Sequence, residues 1–266
     1  RVVAYIAPEP NMIHAFEQRI DIHKQTASLI FKKPMDTVTD EERSIGKRAN
    51  HGLNYGMAAS RFSQLHEMEL STAKFVLTRY HEVYPGVHQY HSWIRAQLSK
   101  DRILITAFGR RRLFLDRWGD ELFKEAYSFI PQSTVAEALN QFGLRFIFEH
   151  PQMRSVQLLN QVHDSVVFQI PLSEGWDYHI KVCRLLKKSL EQPIRYRSQE
   201  FSIPADFCIG LNLKNVFKFD PLAQPAVLED LYFNSIKSPP LSSIEMDVDD
   251  AEEEEVVEDE TNTGLD

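Results

Sequence analysis

Apolar positions recur with a helical period along most of this chain, and they switch to a strand period in only a few short stretches. Residues 1–7, Arg-Val-Val-Ala-Tyr-Ile-Ala, are an apolar run closed by Pro8 and Pro10, readable as the end of a strand or the first turns of a buried helix. A helix is expected from about Met12 to Phe31. Thr39-Asp-Glu-Glu42 has the form of a capping box and puts the next helix start just before Arg43. Ser71 is expected to cap a helix reaching Tyr84, stopped by Pro85-Gly86, and an amphipathic helix follows over Val87 to Ser99. From Ile103 to Leu115 two β-prone runs meet at Gly109. Helical spacing returns from Glu121 to about His150, interrupted at Pro131. Val156–Ile170 places two β-branched runs around a polar centre, a hairpin pattern with His163 and Asp164 at or beside the turn. Ser173 then caps a helix to about Gln192, and Phe201–Gly210 reads as a last strand. The pattern predicts a mixed α/β (α+β) fold.

Within the capped helix, Arg43, Lys47, His51 and Tyr55 recur every four residues and so form one slowly curving stripe. Two cations come first and two ring-bearing residues follow. The span from Arg43 to Tyr55 is about 18 Å at about 1.5 Å per residue, the length of an extended nucleoside triphosphate. The order suits phosphates at one end and a flat base at the other. Spacing alone equally allows a solvated helix face ending in a glycine cap at Gly56.

Composition bounds the possibilities. The chain has 266 residues and 43% hydrophobic content, enough for one large domain or two smaller ones with a true core. Its only cysteines, Cys183 and Cys208, lie in apolar runs, which excludes a disulfide framework and suits core positions in a reducing compartment. No run of 18 or more apolar residues occurs and no signal sequence opens the chain, so a membrane partner is not expected. The net charge of −8 conceals an uneven distribution. Twelve of the 38 acidic residues fall between Glu245 and Asp266, where no Lys or Arg occurs, leaving 30 basic against 26 acidic residues in the body. That body can bind a polyanion along a localised groove. The acidic stretch reads as a disordered, solubilising tail, a docking site for a basic partner, or a competitor for the groove.

Two further clusters carry candidate chemistry. Arg110, Arg111 and Arg112 follow Gly109 at the first turn, where guanidinium forks can project together onto phosphates or simply face solvent. Asp164 at the second turn is either an ordinary turn carboxylate or a hard oxygen ligand held at a strand end.

These motifs together resemble the DNA polymerase I family, family A. Arg43-x-x-x-Lys47-x-x-Asn50-x-Gly52-x-x-Tyr55-Gly56 is similar to the family's motif B, the nucleotide-binding helix of the fingers. Gln161-Val-His-Asp164 is similar to motif C, Thr106-x-x-Gly-Arg-Arg-Arg112 to the family's arginine turn, and Gln132-Ser-Thr-Val-Ala-Glu137 to its Gln-Gly-Thr-Ala-Ala-Asp. Resemblance runs over about residues 1–218. It implies a right-hand architecture with an antiparallel palm sheet and helical fingers. Residues 1–11 would be palm, 12–100 fingers, 101–218 palm with the motif C hairpin, 219–244 an extension or linker, and 245–266 the acidic tail.

The resemblance also implies an activity: transfer of deoxynucleoside monophosphates from deoxynucleoside triphosphates to a primer 3′ hydroxyl on primer-template DNA, with two Mg²⁺ ions. Asp164 would be a metal ligand and Arg43 and Lys47 would grip the triphosphate, Lys47 also protonating the leaving pyrophosphate. His51 and Tyr55 would pack on the base and sugar. Arg110, Arg111, Gln132 and His163 would contact nucleic acid. Two departures stand out. Ser165 replaces the family's usual Glu, and His51 replaces a Phe or Tyr, adding a group that titrates near pH 6.5. The chain is expected to begin at the last residue of motif A, so a companion polypeptide or a longer parent would supply that motif and the thumb. The alone-standing chain is then expected to be inactive and to expose a strand edge. A cytoplasmic or nucleoid-associated place in a bacterial or phage-infected cell would follow. A single-subunit RNA polymerase relative and a non-catalytic DNA-binding or assembly subunit are the alternatives.

Overall fold

A computed structural model describes residues 1–237. Eleven α-helices and eight short strands are found among them. The helical half runs α1 (Val2–Ile6), α2 (Pro10–Glu17), α3 (Ile22–Phe31), α4 (Asp40–Asn54), α5 (Ala59–Leu65), α6 (Leu70–Val83) and α7 (Pro85–Asp101). The ribbon β1 (Ile103–Ile105) and β2 (Arg111–Leu113) precedes α8 (Asp120–Ala138) and α9 (Arg145–Glu149). Next come β3 (Gln157–Val162), β4 (Ser165–Gln169) and α10 (Trp176–Leu190). Two more ribbons, β5 (Ile194–Tyr196) with β6 (Gln199–Phe201) and β7 (Phe207–Gly210) with β8 (Val216–Phe219), lead to α11 (Pro225–Lys237). All four antiparallel pairs stand as two-stranded ribbons, so the sheet part of the α+β fold is discontinuous among the described residues.

Several local expectations are corrected. Of its two readings the opening apolar run takes the buried-helix one, as α1, whereas the expectations that follow are changed. The helix expected over 12–31 is two helices, because Asp21 leaves the helical path to accept the amides of His23 and Lys24 at 2.9 and 3.1 Å as the N-cap of α3. Glu69, not Ser71, sits at the N-cap of α6. Gly175 rather than Ser173 precedes α10. Pro85 starts α7 in addition to ending α6, since a proline at the first helical position gives up only an orphan N–H. The strand expected over 201–210 is split into the ends of two ribbons. Cys183 is buried as expected, whereas Cys208 is exposed on β7. Within 219–244, residues Pro225–Lys237 form α11, which packs on α10, β7 and β8. The acidic stretch 245–266 lies outside the described residues.

Pro131 does not interrupt α8. A proline removes the N–H that would bond the carbonyl four residues earlier, here Tyr127. The buried Tyr90 hydroxyl donates to that carbonyl at 3.0 Å and restores the missing bond. Beyond α8 the helix widens into a π segment at Leu139–Leu144 before resuming as α9. The Ser189 hydroxyl satisfies its Phe142 carbonyl at 2.6 Å.

Two hydrophobic clusters hold the chain. The larger joins α1 through α8 with β1, β5 and β6 around Ile30, Leu53, Phe62, Tyr80, Ile94 and Ile130. The smaller joins α9, α10, α11 and the last ribbon around Ile147, Val182, Leu186 and Phe207, and takes in Val166, Phe168 and Ile170 from the β3–β4 hairpin.

Candidate nucleotide and nucleic-acid site

The capping box at the start of α4 forms as its sequence demands. Thr39 Oγ1 accepts from the Glu42 amide at 3.2 Å, and Glu42 accepts from the Thr39 amide at 2.9 Å. The inner face of α4 then buries Gly46, Ala49, Asn50 and Leu53 against α3 and α6. A strip flanking that face leaves Arg43, Lys47 and Tyr55 half-buried and His51 exposed, as one stripe. The four expected residues are therefore brought together along a single helix and its C-cap.

Arg43 Nε donates to Asp21 Oδ2 at 2.7 Å, an ion pair half open to solvent. Burial acts to raise the Asp21 carboxyl, but the Arg43 guanidinium and the His23 and Lys24 amides outweigh it, so the group is lowered from its ordinary value. An exposed pair of this kind is worth about 1 kcal/mol or less, so an incoming phosphate can exchange with the carboxylate. His23, at the start of α3, is pushed down to about 4, first by burial and then by the positive charges of His51, Arg43 and Lys47, with Asp21 opposing. Three members of the stripe thus act on one point. Neutral His23 accepts at Nδ1 from Asn50 Nδ2 at 3.1 Å, and the same amide donates to Thr26 Oγ1 at 2.9 Å. Thr26 in turn donates to the Ile22 carbonyl at 2.7 Å and receives the Tyr84 hydroxyl at 2.8 Å. This buried chain fixes the rotation of α4 about its axis.

At the other end, Gly56 takes φ +78°, and a Cβ there would meet the Tyr127 ring at 2.7 Å. Glycine is required on both counts. The Asn54 side chain accepts the Tyr80 hydroxyl at 2.8 Å.

The arginine turn is a tight loop in which Thr106 Oγ1 accepts the Arg110 amide at 3.1 Å and the Gly109 amide bonds the Thr106 carbonyl at 3.1 Å. Gly109 carries the required positive φ of 85°. Arg110 and Arg111 are exposed. Arg112 differs: it pairs with Glu125 and lies 4.6 Å from the Phe114 ring centroid, a packing position. Gln132 is exposed on α8.

The second hairpin folds as its pattern predicts, with Val162 opposite Ser165 and a bulge between Leu158 and Asn160. His163 occupies the left-handed region at φ 51°, and Asp164 is exposed at the tip. Ser165 Oγ donates to the Val162 carbonyl at 2.9 Å, so the serine that stands in place of a second carboxylate pins the turn. Gln161 Nε2 donates to Asn140 Oδ1 of the π segment at 3.1 Å and ties the hairpin to the helix. Asp164 offers a hard oxygen donor on a constrained turn, which fits one ligand of a divalent cation. Among the described residues, no group of three or more His, Cys, Asp or Glu is arranged to hold a metal.

The stripe and the hairpin belong to different hydrophobic clusters. Spacing did not single out Asp21, Asn140, His91 or Tyr127. Asp21 carries a helix N-cap signal, but nothing local in the sequence marks the other three. Among the described residues, no helix is long and apolar enough to cross a membrane.

Comparison with known proteins supplies the remaining finding. Residues 1–211 match the profile of the family described as DNA polymerase family A. The chain is 33% identical over 183 residues to DNA polymerase I of Treponema pallidum, a match covering 65% of this chain and 18% of that protein. It is 30% identical over 200 residues to the thermostable DNA polymerase I of Thermus aquaticus, covering 72% of this chain and 23% of that protein. Among solved structures it resembles the POL domain of Pol1 from M. smegmatis in complex with DNA primer-template and dNTP, at 26% identity and a TM-score of 0.62, over 73% of this chain and 35% of that one. The chain thus spans about a fifth of the length of these curated relatives. With the family profile covering residues 1–211 and the fold shared with a polymerase domain, the chain belongs to DNA polymerase family A.

Proposed function

We propose that this chain is the fingers and part of the palm of a template-directed DNA polymerase, with residues 12–100 as fingers and 1–11 and 101–218 as palm. The observation that carries the reading is the stripe of Arg43, Lys47, His51 and Tyr55 on a helix rotationally fixed by the Asn50–His23–Thr26 chain. The solved relative described as complexed with primer-template and dNTP supports the same reading.

In this scheme Arg43 leaves Asp21 to grip the triphosphate, and Lys47 holds the next phosphate and gives its proton to the departing pyrophosphate. His51 and Tyr55 stack on the base and sugar. Arg110 and Arg111 take backbone phosphates, while Gln132 and His163 lie along the primer-template. Asp164 is assigned as a ligand of Mg²⁺. Divalent ions bound there would stabilise charge on the attacking and leaving oxygens of an in-line transfer. The further carboxylate that such chemistry needs is assigned to polypeptide outside these 266 residues, in a companion chain or a longer parent. The location proposed with this substrate is cytoplasmic or nucleoid-associated.

Calorimetric titration of the 266-residue chain with dATP and Mg²⁺ tests the reading. Lys47→Ala is expected to weaken binding at least about tenfold, equivalent to about 1.4 kcal/mol. Equal binding by both forms would overturn the assignment of α4. Primer extension should be absent from the chain alone and present when the missing polypeptide is supplied, and Asp164→Ala should then abolish it. Undiminished extension by Asp164→Ala would identify a non-catalytic, DNA-binding role instead.

A further inference from the structure

The last turn of any helix leaves carbonyls without intrahelical partners. In α4 the Gly52 carbonyl receives the amides of Tyr55 at 3.2 Å and Met57 at 3.1 Å, and the Leu53 carbonyl receives that of Gly56 at 3.2 Å. The Asn54 carbonyl, immediately before Tyr55, is met from another helix: His91 Nε2 of α7 lies 2.8 Å away. A carbonyl only accepts, so the histidine carries its proton on Nε2. His91 is 8% exposed, and its ring stacks on Tyr127 of α8 with centroids 3.9 Å apart and planes 22° from parallel.

Tyr127 is itself held. Arg95 Nε donates to its hydroxyl at 2.6 Å while the Arg95 guanidinium lies 4.6 Å from the Phe123 centroid. The Tyr127 ring also fills the space that a Cβ at Gly56 would need. From α6, Tyr80 binds the Asn54 side chain at 2.8 Å. The residue before the stripe's last member is therefore clasped at both its side chain and its carbonyl, and three separate helices supply the clasp.

We propose that His91 is a positioning residue for the nucleotide site, capping the last carbonyl of α4 through Nε2–H and locking that cap to Tyr127 of α8, so that it fixes where Tyr55 stands. The role rests on reading α4 as the nucleotide helix. It also links two surfaces, because α8 carries Gln132 five residues beyond Tyr127. A shift of α8 under a bound duplex is transmitted through one stacked pair to the end of the nucleotide stripe.

The test uses the 266-residue chain and two variants. His91→Phe keeps a ring for Tyr127 but loses the donor; His91→Gln keeps an N–H at similar reach but loses the ring. Amide hydrogen exchange is read at Tyr55, Gly56 and Met57, with the Ala49 and Asn50 amides as internal controls. In His91→Phe the three terminal amides should exchange about fivefold faster, the worth of one ordinary hydrogen bond, while the controls hold. His91→Gln should restore most of that protection. Unchanged exchange in His91→Phe, or equal loss in both variants, overturns the cap. Affinity for dATP with Mg²⁺ separates the two readings. Weakened binding in His91→Phe supports the positioning role. Binding that falls in Lys47→Ala but not in His91→Phe overturns it. Binding unaffected by either substitution overturns the nucleotide assignment, and the positioning role with it.

Discussion

Two histidines, His23 and His91, are kept neutral by their surroundings, and that choice has a measurable cost in acid. Each is pushed down to about 4, in both cases chiefly by burial. His23 then feels the cationic stripe. His91 gains some protonation from its bond to Asn54 but is opposed by His81 on α6 and by His88 and Arg95 on its own helix. The rings of Tyr90 and Tyr127 also face it. An unfolded histidine titrates near 6.5, so between that value and about 4 the unfolded chain binds more protons than the folded one. The histidine contribution to stability is therefore complete above about pH 6.5 and is lost as the pH falls toward 4. Urea midpoints should drop steadily from pH 7 to pH 5, a range that lies above the ordinary carboxylate values near 4. His91→Gln should show a shallower slope, and an identical slope would remove His91 as a cause.

At the scale of elements, the contact between α3 and α4 is decided at Gly46. A Cβ there would lie 2.2 Å from the His23 carbonyl oxygen and 3.0 Å from the Ala27 amide nitrogen. In a solvated helix, replacing glycine by alanine stabilises by about 1 kcal/mol. Here the sign reverses, because both obstacles are backbone and the helices must part. Overpacking of this kind costs about 1–3 kcal/mol. Gly46→Ala should lower the melting temperature by several degrees, at about 2–4 °C per kcal/mol for a chain of this size; a rise would show that α3 yields freely. The same element shows what sequence can and cannot reveal. Its start was legible because Thr39 and Glu42 are three apart and satisfy each other, and the alignment of Arg43, Lys47, His51 and Tyr55 along it because the four share a spacing. Both hairpins were legible from strand spacing and turn residues. The continuation of α8 through Pro131 was not, since the compensating hydroxyl of Tyr90 lies 37 residues in sequence from the Tyr127 carbonyl it satisfies. Nor were the π segment and the clasp on Asn54, which depend on partners brought near only by the tertiary fold.

For the whole molecule, charge is divided between a mildly basic body and the acidic stretch 245–266. If that stretch competes with DNA, its removal should tighten binding of a short primer-template at 50 mM salt and matter much less at 200 mM, because counterion release and screening both weaken the contest. Anisotropy titrations of the full chain and of a chain ending at Ile244 would measure this. Equal affinities at low salt would leave the stretch a solubilising or docking role. The strands are present as two-stranded ribbons, and β3 exposes Leu158, Leu159 and Val162 along a hairpin that has no third strand among the described residues.

The division into two hydrophobic clusters reaches beyond architecture. The Arg43–Tyr55 stripe is anchored in one and Asp164 in the other, so the two halves of the proposed site need not melt together. A nucleotide or duplex held by both halves adds its binding energy only while both are folded, and so makes their unfolding cooperative. Substrate, on this view, does for the molecule what a continuous core does for a smaller one: it couples the unfolding of two hydrophobic clusters.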